Sequence, residues 1–167
     1  MNQQTKALIR LVIAAMIMFL ISIAVYFIGG ELAKMFILTN AAEAGIENIP
    51  TLFDWKNDYY YLVQDMGAVA GVILLLWTAL THWALRTSSS TGVGKRWLWA
   101  LLGIILAVLC LVIPNIFEKY FHLLIIDMSI PLLFLTCYGI VGYWGGSIFV
   151  TSDRYKYTPI FSRFFRS

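Results

Sequence analysis

The sequence predicts an all-α integral membrane protein, and two observations carry that prediction. Of its 167 residues, 60% are hydrophobic and only 13% are charged, whereas about 25% of the residues of a soluble domain are charged. Four long apolar stretches also occur, and a helix of about 20 apolar residues is enough to cross a bilayer. We therefore expect a single domain, a bundle of four transmembrane helices, with no separate soluble domain.

Polar segments set the approximate limits of the four predicted spans. We expect the spans at about residues 8–30, 66–85, 97–116 and 123–150, with an outer cap at 31–65, a loop at 86–96, a tight turn at 118–122 and a tail at 151–167. The first span follows a basic segment, as a signal peptide would. Its apolar run is longer than the usual ~7–15 residues and no cleavage pattern ends it, so we expect an uncleaved helix.

The distribution of lysine and arginine predicts the orientation. The N-terminal segment, the loop and the tail carry nine of these residues, and the other connections carry three. Positive residues favour the cytoplasmic side, so we expect both termini in the cytoplasm and the chain in the inner membrane of a bacterium. The basic residues of the loop and tail are candidate contacts for anionic lipid or a cytoplasmic protein: Arg86, Lys95, Arg96, Arg154, Lys156, Arg163 and Arg166. Nucleic-acid binding needs more positive charge than this.

Two glycine pairs are candidate helix-packing sites. Gly67 and Gly71 begin the second predicted span, and Gly142 and Gly146 lie in the fourth, both with G-x-x-x-G spacing. Small residues four apart allow close approach of two membrane helices. The pairs lie at opposite depths, so we expect each to face a different helix, of this chain or of another copy. The spacing is a weak signal, because glycine is common in membrane helices.

A group of polar residues near the predicted outer face is the candidate ion or polar site: Asn115, Glu118, His122 and Asp127. Asp127 is an ionisable residue inside a predicted span. Such residues are costly in a membrane and usually serve a function, so Asp127 is a candidate functional residue. It lies about 6 Å by helical rise from the start of that span. We therefore favour an ion-paired helix turn at the membrane surface over a proton or cation site. Pro131 leaves the Asp127 carbonyl without its helical partner, which predicts a kink or a small polar pocket.

No cofactor and no metal site is expected. His82 and His122 lie at opposite ends of their predicted spans, so they cannot bind one haem together. We expect His82, with Thr78 and Thr81, to be satisfied by helix carbonyls or interfacial water.

Redox chemistry at the two cysteines is also disfavoured. Cys110 and Cys137 lie at similar predicted depths, so a pair is geometrically conceivable. Thiols in an apolar environment are inert, however. Quinone-linked thiol oxidases of similar size also need further cysteines in their outer loops.

The absence of any catalytic motif in the sequence favours a non-enzymatic component of a multi-protein or oligomeric assembly. Size and predicted topology are similar to those of bacteriocin immunity proteins, of entry-exclusion and conjugation accessory proteins, and of membrane components of phage-defence systems. That likeness covers topology only and rests on no motif. Expected partners are membrane lipids and either further copies of the chain or another protein.

Two other functions stay open. One is a homo-oligomeric channel or pore, in which Asp127 or Glu118 forms an acidic ring at the outer mouth. The spans contain few polar residues to line a wet lumen, which weighs against it. The other is a small membrane enzyme built on the same polar group.

Overall fold

The part of the chain that the computed structural model describes is helical and contains no strand; it comprises residues 3–29, 31, 52–84, 95–121, 129–155 and 158–159. Four helices, α1 to α4, follow one another along the chain. They are α1 (Gln3–Ala24, with a π-helical end at Val25–Gly29), α2 (Leu52–Ala79, with a π-helical end at Leu80–Ala84), α3 (Arg96–Phe121) and α4 (Ser129–Phe134, a π-helical part at Leu135–Gly145, and Gly146–Val150). A short 3-10 turn, Asp153–Tyr155, follows α4.

All four helices are long and apolar enough to cross a membrane, as the sequence predicts. Their membrane-spanning parts are Gln3–Ile28, Tyr59–Trp83, Arg96–Pro114 and Pro131–Val150. The chain is therefore an integral membrane protein. Which membrane holds it, and on which side its termini lie, stay predictions.

Two predicted boundaries differ from the structure. Helix α2 begins at Leu52, so residues 52–65, which the sequence assigns to the outer cap, are helical. Helix α3 continues to Phe121, so residues 118–121 extend a helix and do not form a tight turn. Charged residues lower hydropathy without breaking a helix. Hydropathy therefore places the start of α2 too late in the sequence and the end of α3 too early. The remainder of the predicted cap, apart from Glu31, lies outside the described residues.

Helices α2 and α4 form the centre of the packing. Helix α1 packs on both of them, and α3 also packs on both. The largest fully buried side chains come mostly from the two central helices: Met66, Leu74, Trp77, Phe134, Tyr138 and Tyr143. Lipid tails are as apolar as these side chains, so the helices are held by close contact and by hydrogen bonds between helices.

Three buried tyrosines supply such hydrogen bonds. Tyr59 of α2 donates to the Val25 carbonyl of α1 at 3.0 Å. Tyr138 of α4 donates to a carbonyl of α2 at 3.1 Å, and Tyr143 of α4 to the Trp99 carbonyl of α3 at 2.8 Å. Each bond joins a different pair of helices, and such bonds contribute about 0.6 kcal/mol each within membranes.

Candidate functional site

Helix α1 lies against the first glycine pair. A Cβ atom added at Gly67 would overlap the Ser22 hydroxyl of α1 and approach the Tyr138 hydroxyl of α4. A Cβ added at Gly71 would lie 3.9 Å from Met18, an ordinary contact. Gly67 therefore allows the close approach of three helices, whereas a Cβ atom at Gly71 would fit in ordinary contact with α1.

The second glycine pair also faces α1. A Cβ atom added at Gly142 would lie 3.0 Å from the sulfur of Met18. At Gly146 it would lie 3.1 Å from Leu74 of α2 and 3.5 Å from Ile17 of α1. Both pairs therefore contact α1, where the sequence led us to expect a different helix for each, although Gly146 comes closest to Leu74 of α2. Helix α1 runs along the contact between α2 and α4, so pairs at different depths meet successive turns of the same helix.

A concave apolar surface, here called the α1–α2 groove, opens beside the first glycine pair. Its volume is about 630 Å³ and it lies between α1 and α2. Small and polar residues from both helices contribute to its wall, among them Ser22, Gln64, Gly67, Ala68 and Gly71. Because small side chains occupy the middle of its α2 wall, the groove is a depression rather than a flat helix face.

A network of hydrogen bonds joins three helices at the end of α4. The Trp77 indole of α2 donates to the Thr151 hydroxyl at 2.8 Å, and that hydroxyl donates to the Ser147 carbonyl at 2.5 Å. The Trp99 indole of α3 donates to the Ser147 hydroxyl at 3.0 Å. All four side chains are buried. Sequence reasoning missed this network, although a serine and a threonine four residues apart at the end of an apolar helix are a usable signal.

Helix α1 joins the same end of the molecule through Arg10. Its guanidinium donates to the Thr151 carbonyl at 2.8 Å and pairs with Asp153 at 2.6 Å. The Arg10 side chain is 18% exposed and that of Asp153 is 65% exposed, so water weakens the ion pair at its acidic end. The sequence identified Arg10 only as a determinant of orientation. The structure adds that it ties α1 to the end of α4.

The polar residues near the end of α2 have partners, as expected. The hydroxyl of Thr78 donates to the Leu74 carbonyl at 2.8 Å, and that of Thr81 to the Thr78 carbonyl at 3.0 Å. The Nε2 atom of His82 lies 3.3 Å from the Val150 carbonyl of α4. This last contact crosses between helices, which makes His82 a packing residue.

Both cysteines are free. The Sγ atom of Cys110 lies 3.7 Å from the Phe134 carbonyl of α4. That contact is typical of a buried thiol used in packing.

The predicted ion or polar site falls only partly within the described residues. Asn115 and Glu118 lie in the last part of α3, whereas His122 and Asp127 lie outside the described residues. Within the described ranges no three residues of His, Cys, Asp or Glu converge to hold a metal ion. The acidic ring and the kink at Pro131 stay predictions.

The basic residues predicted to contact lipid or a cytoplasmic protein also fall only partly within the described residues. Arg96 begins α3 and Lys95 directly precedes it, and Arg154 lies in the turn after α4. The other four lie outside the described residues: Arg86, Lys156, Arg163 and Arg166. Their contact with lipid or protein stays a prediction.

Comparison with protein-family models, with curated proteins and with solved structures finds no match. The class of protein is therefore defined by the fold alone: it is an integral membrane protein whose described residues form four helices able to span a membrane.

Proposed function

We propose that the chain is a non-enzymatic component of a membrane assembly, and that its α1–α2 groove binds a transmembrane helix of another subunit. We further propose that the four helices form one bundle in the inner membrane of a bacterium, with both termini in the cytoplasm. The observation that carries the proposed binding is the groove itself, a depression between α1 and α2 whose α2 wall has Gly67, Ala68 and Gly71 in its middle.

The length of the groove suits a helix. Its wall on α1 extends from Ala15 to Phe27, which corresponds to about 18 Å of helix. That is room for roughly three turns of a second helix lying alongside. Gly71 and Ala68 leave the centre open, so a partner's backbone can approach closely there, as membrane helices do at small residues.

Polar groups in the groove favour a protein helix over a lipid chain. The Gln64 side chain is exposed, and its amide donates to the Tyr60 hydroxyl at 2.5 Å. Among the described residues, the other amide N–H and the amide carbonyl of Gln64 have no partner. An acyl chain cannot hydrogen-bond to them, whereas a polar side chain or an open carbonyl on a partner helix can.

The exposure of α1 is consistent with a partner on this side. In the most apolar part of α1 only 17% of the residues are buried, against 50% for α2. Phe19 and Phe27, which border the groove, are 66% and 65% exposed. Large aromatic side chains at the rim can close over a partner helix and add contact area.

We expect Val72→Trp to dissociate the assembly. Val72 borders the groove and is 64% exposed, so an indole there fills the space without entering the protein's own core. The matched control is Val108→Trp on α3, where the valine is 51% exposed and lies away from the groove. After mild solubilisation, light scattering should give a smaller mass for the first variant and the native mass for the second.

The composition of the complex identifies the partner. A mass equal to a small multiple of this chain means that the groove binds another copy, and a second polypeptide means a hetero-complex. Equal thermal unfolding of the two variants is the control for folding. Native mass in both variants would contradict the proposal.

A further inference from the structure

A small cavity bordered by polar residues lies at the opposite end of α1 from the α1–α2 groove. Its volume is about 80 Å³, room for several waters or for one phosphate group. It lies where α1 begins and where α2 and α4 end, and the residues around it include Gln3, Lys6, Arg10, His82, Ser152 and Asp153. The cavity is therefore at the ends of three membrane-spanning parts, and the ends of such parts adjoin the headgroup layer of a bilayer.

Ser152 is the observation that points to a ligand. The residue is 9% exposed, and its hydroxyl oxygen is buried with no hydrogen-bond partner among the described residues. A buried hydroxyl without a partner is uncommon and destabilises the fold unless something binds it. Ser152 borders the cavity, so a ligand there is in a position to accept a hydrogen bond from its hydroxyl.

The charges around the cavity favour an anion. Lys6 and Arg10 contribute +2 and Asp153 contributes −1, a sum of +1. Two of the five N–H groups of Arg10 are used on Thr151 and Asp153, which leaves three for a ligand. The start of α1 adds backbone N–H groups and the positive end of its dipole at this same place.

We propose that this cavity binds a phosphate group, carried by an anionic phospholipid headgroup or by a soluble phosphate ester. A phosphate accepts several hydrogen bonds at once, and the donors available are the Ser152 hydroxyl, the Arg10 guanidinium, the Lys6 ammonium and the Gln3 amide. Basic recesses between membrane helices at this depth suit phospholipid headgroups. The inference is independent of what the α1–α2 groove binds.

The test uses the full chain, purified in a phosphate-free maltoside detergent. Its thermal unfolding is measured with added phosphatidylglycerol, with diacylglycerol, which lacks the phosphate, and with inorganic phosphate. We expect phosphatidylglycerol to raise the unfolding temperature of the wild type and diacylglycerol to leave it unchanged. Ser152→Ala and Lys6→Gln should each weaken the apparent affinity for phosphatidylglycerol about tenfold. The matched control is Lys56→Gln, which removes the same charge near the start of α2, at the other end of that helix from the cavity.

Each outcome decides the question. Ser152→Ala removes a buried hydroxyl without a partner, so it should not lower the unfolding temperature in the absence of lipid. If it fails to fold, Lys6→Gln still tests the site because that lysine is exposed. If inorganic phosphate raises the unfolding temperature and this rise depends on Ser152 and Lys6, the site binds a soluble phosphate compound. Equal affinity in the two variants and the control, or stabilisation by diacylglycerol, would overturn the proposal.

Discussion

Replacing Gly142 with leucine is expected to prevent the chain from folding. The position is buried, and even a Cβ atom there would lie 3.0 Å from two atoms of Met18 and 3.2 Å from the Cys137 carbonyl. A full leucine side chain has to displace α1 from α4. Overpacking of this kind costs about 1–3 kcal/mol for small additions and more for large ones. The measurement is the yield of folded, monodisperse protein in detergent.

Alanine substitutions test the same contact with a smaller side chain, and Gly145 in the same helix provides the control. Gly142→Ala should lower the free energy of unfolding by up to about 1–3 kcal/mol, because the tip of Met18 and the backbone carbonyl of Cys137 both have to give by a few tenths of an ångström. Gly145→Ala should leave it unchanged or raise it by up to about 1 kcal/mol, because its nearest neighbour would be 3.7 Å away and alanine is the better helix former. Equal losses in the two variants would show that Gly142 is not a contact point for α1.

Removal of the Trp77 side chain is expected to have the second largest effect. Trp77 is fully buried on α2, and its indole donates to the Thr151 hydroxyl beyond the end of α4. Trp77→Ala should lower the free energy of unfolding by about 3–5 kcal/mol, the usual range for truncating a buried tryptophan. Loss of the indole donor adds to that cost.

The control for Trp77 is another tryptophan of the same chain. Trp97 begins α3 and is 64% exposed, so Trp97→Ala should change the free energy of unfolding by less than about 1 kcal/mol. Thermal unfolding in detergent compares the two variants. A loss at Trp97 as large as that at Trp77 would mean that the buried network does not hold the end of α4.

Hydropathy was enough to predict the number of membrane helices, because a span needs only length and apolar composition. It could not predict where each helix ends. Helix α2 begins before its membrane-spanning part and includes Asp54, Lys56 and Asp58, whose charges lower hydropathy while leaving the backbone helical. The same limit applies to the polar end of α3.

The contacts that shape the candidate sites were harder to predict. The G-x-x-x-G spacing indicated that Gly142 and Gly146 pack closely, but not against which helix. That depends on the path of α1 between α2 and α4, and on the π-helical part of α4, which turns Tyr138 and Tyr143 towards the core. The hydrogen bonds of Ser147 and Thr151 also depend on tertiary packing, because an isolated hydroxyl in a membrane helix can always bond to its own backbone.

The most direct test of the central claim is site-specific photo-crosslinking in intact membranes. A photoreactive residue replaces Val72 in the α1–α2 groove, and in a second sample it replaces Val108 on α3. The proposed function predicts one discrete crosslink to a protein from position 72, and mass spectrometry then identifies the partner helix. From position 108 it predicts no crosslink to a protein. Crosslinks only to lipid from position 72, or the same product from both positions, would contradict a helix bound in the groove.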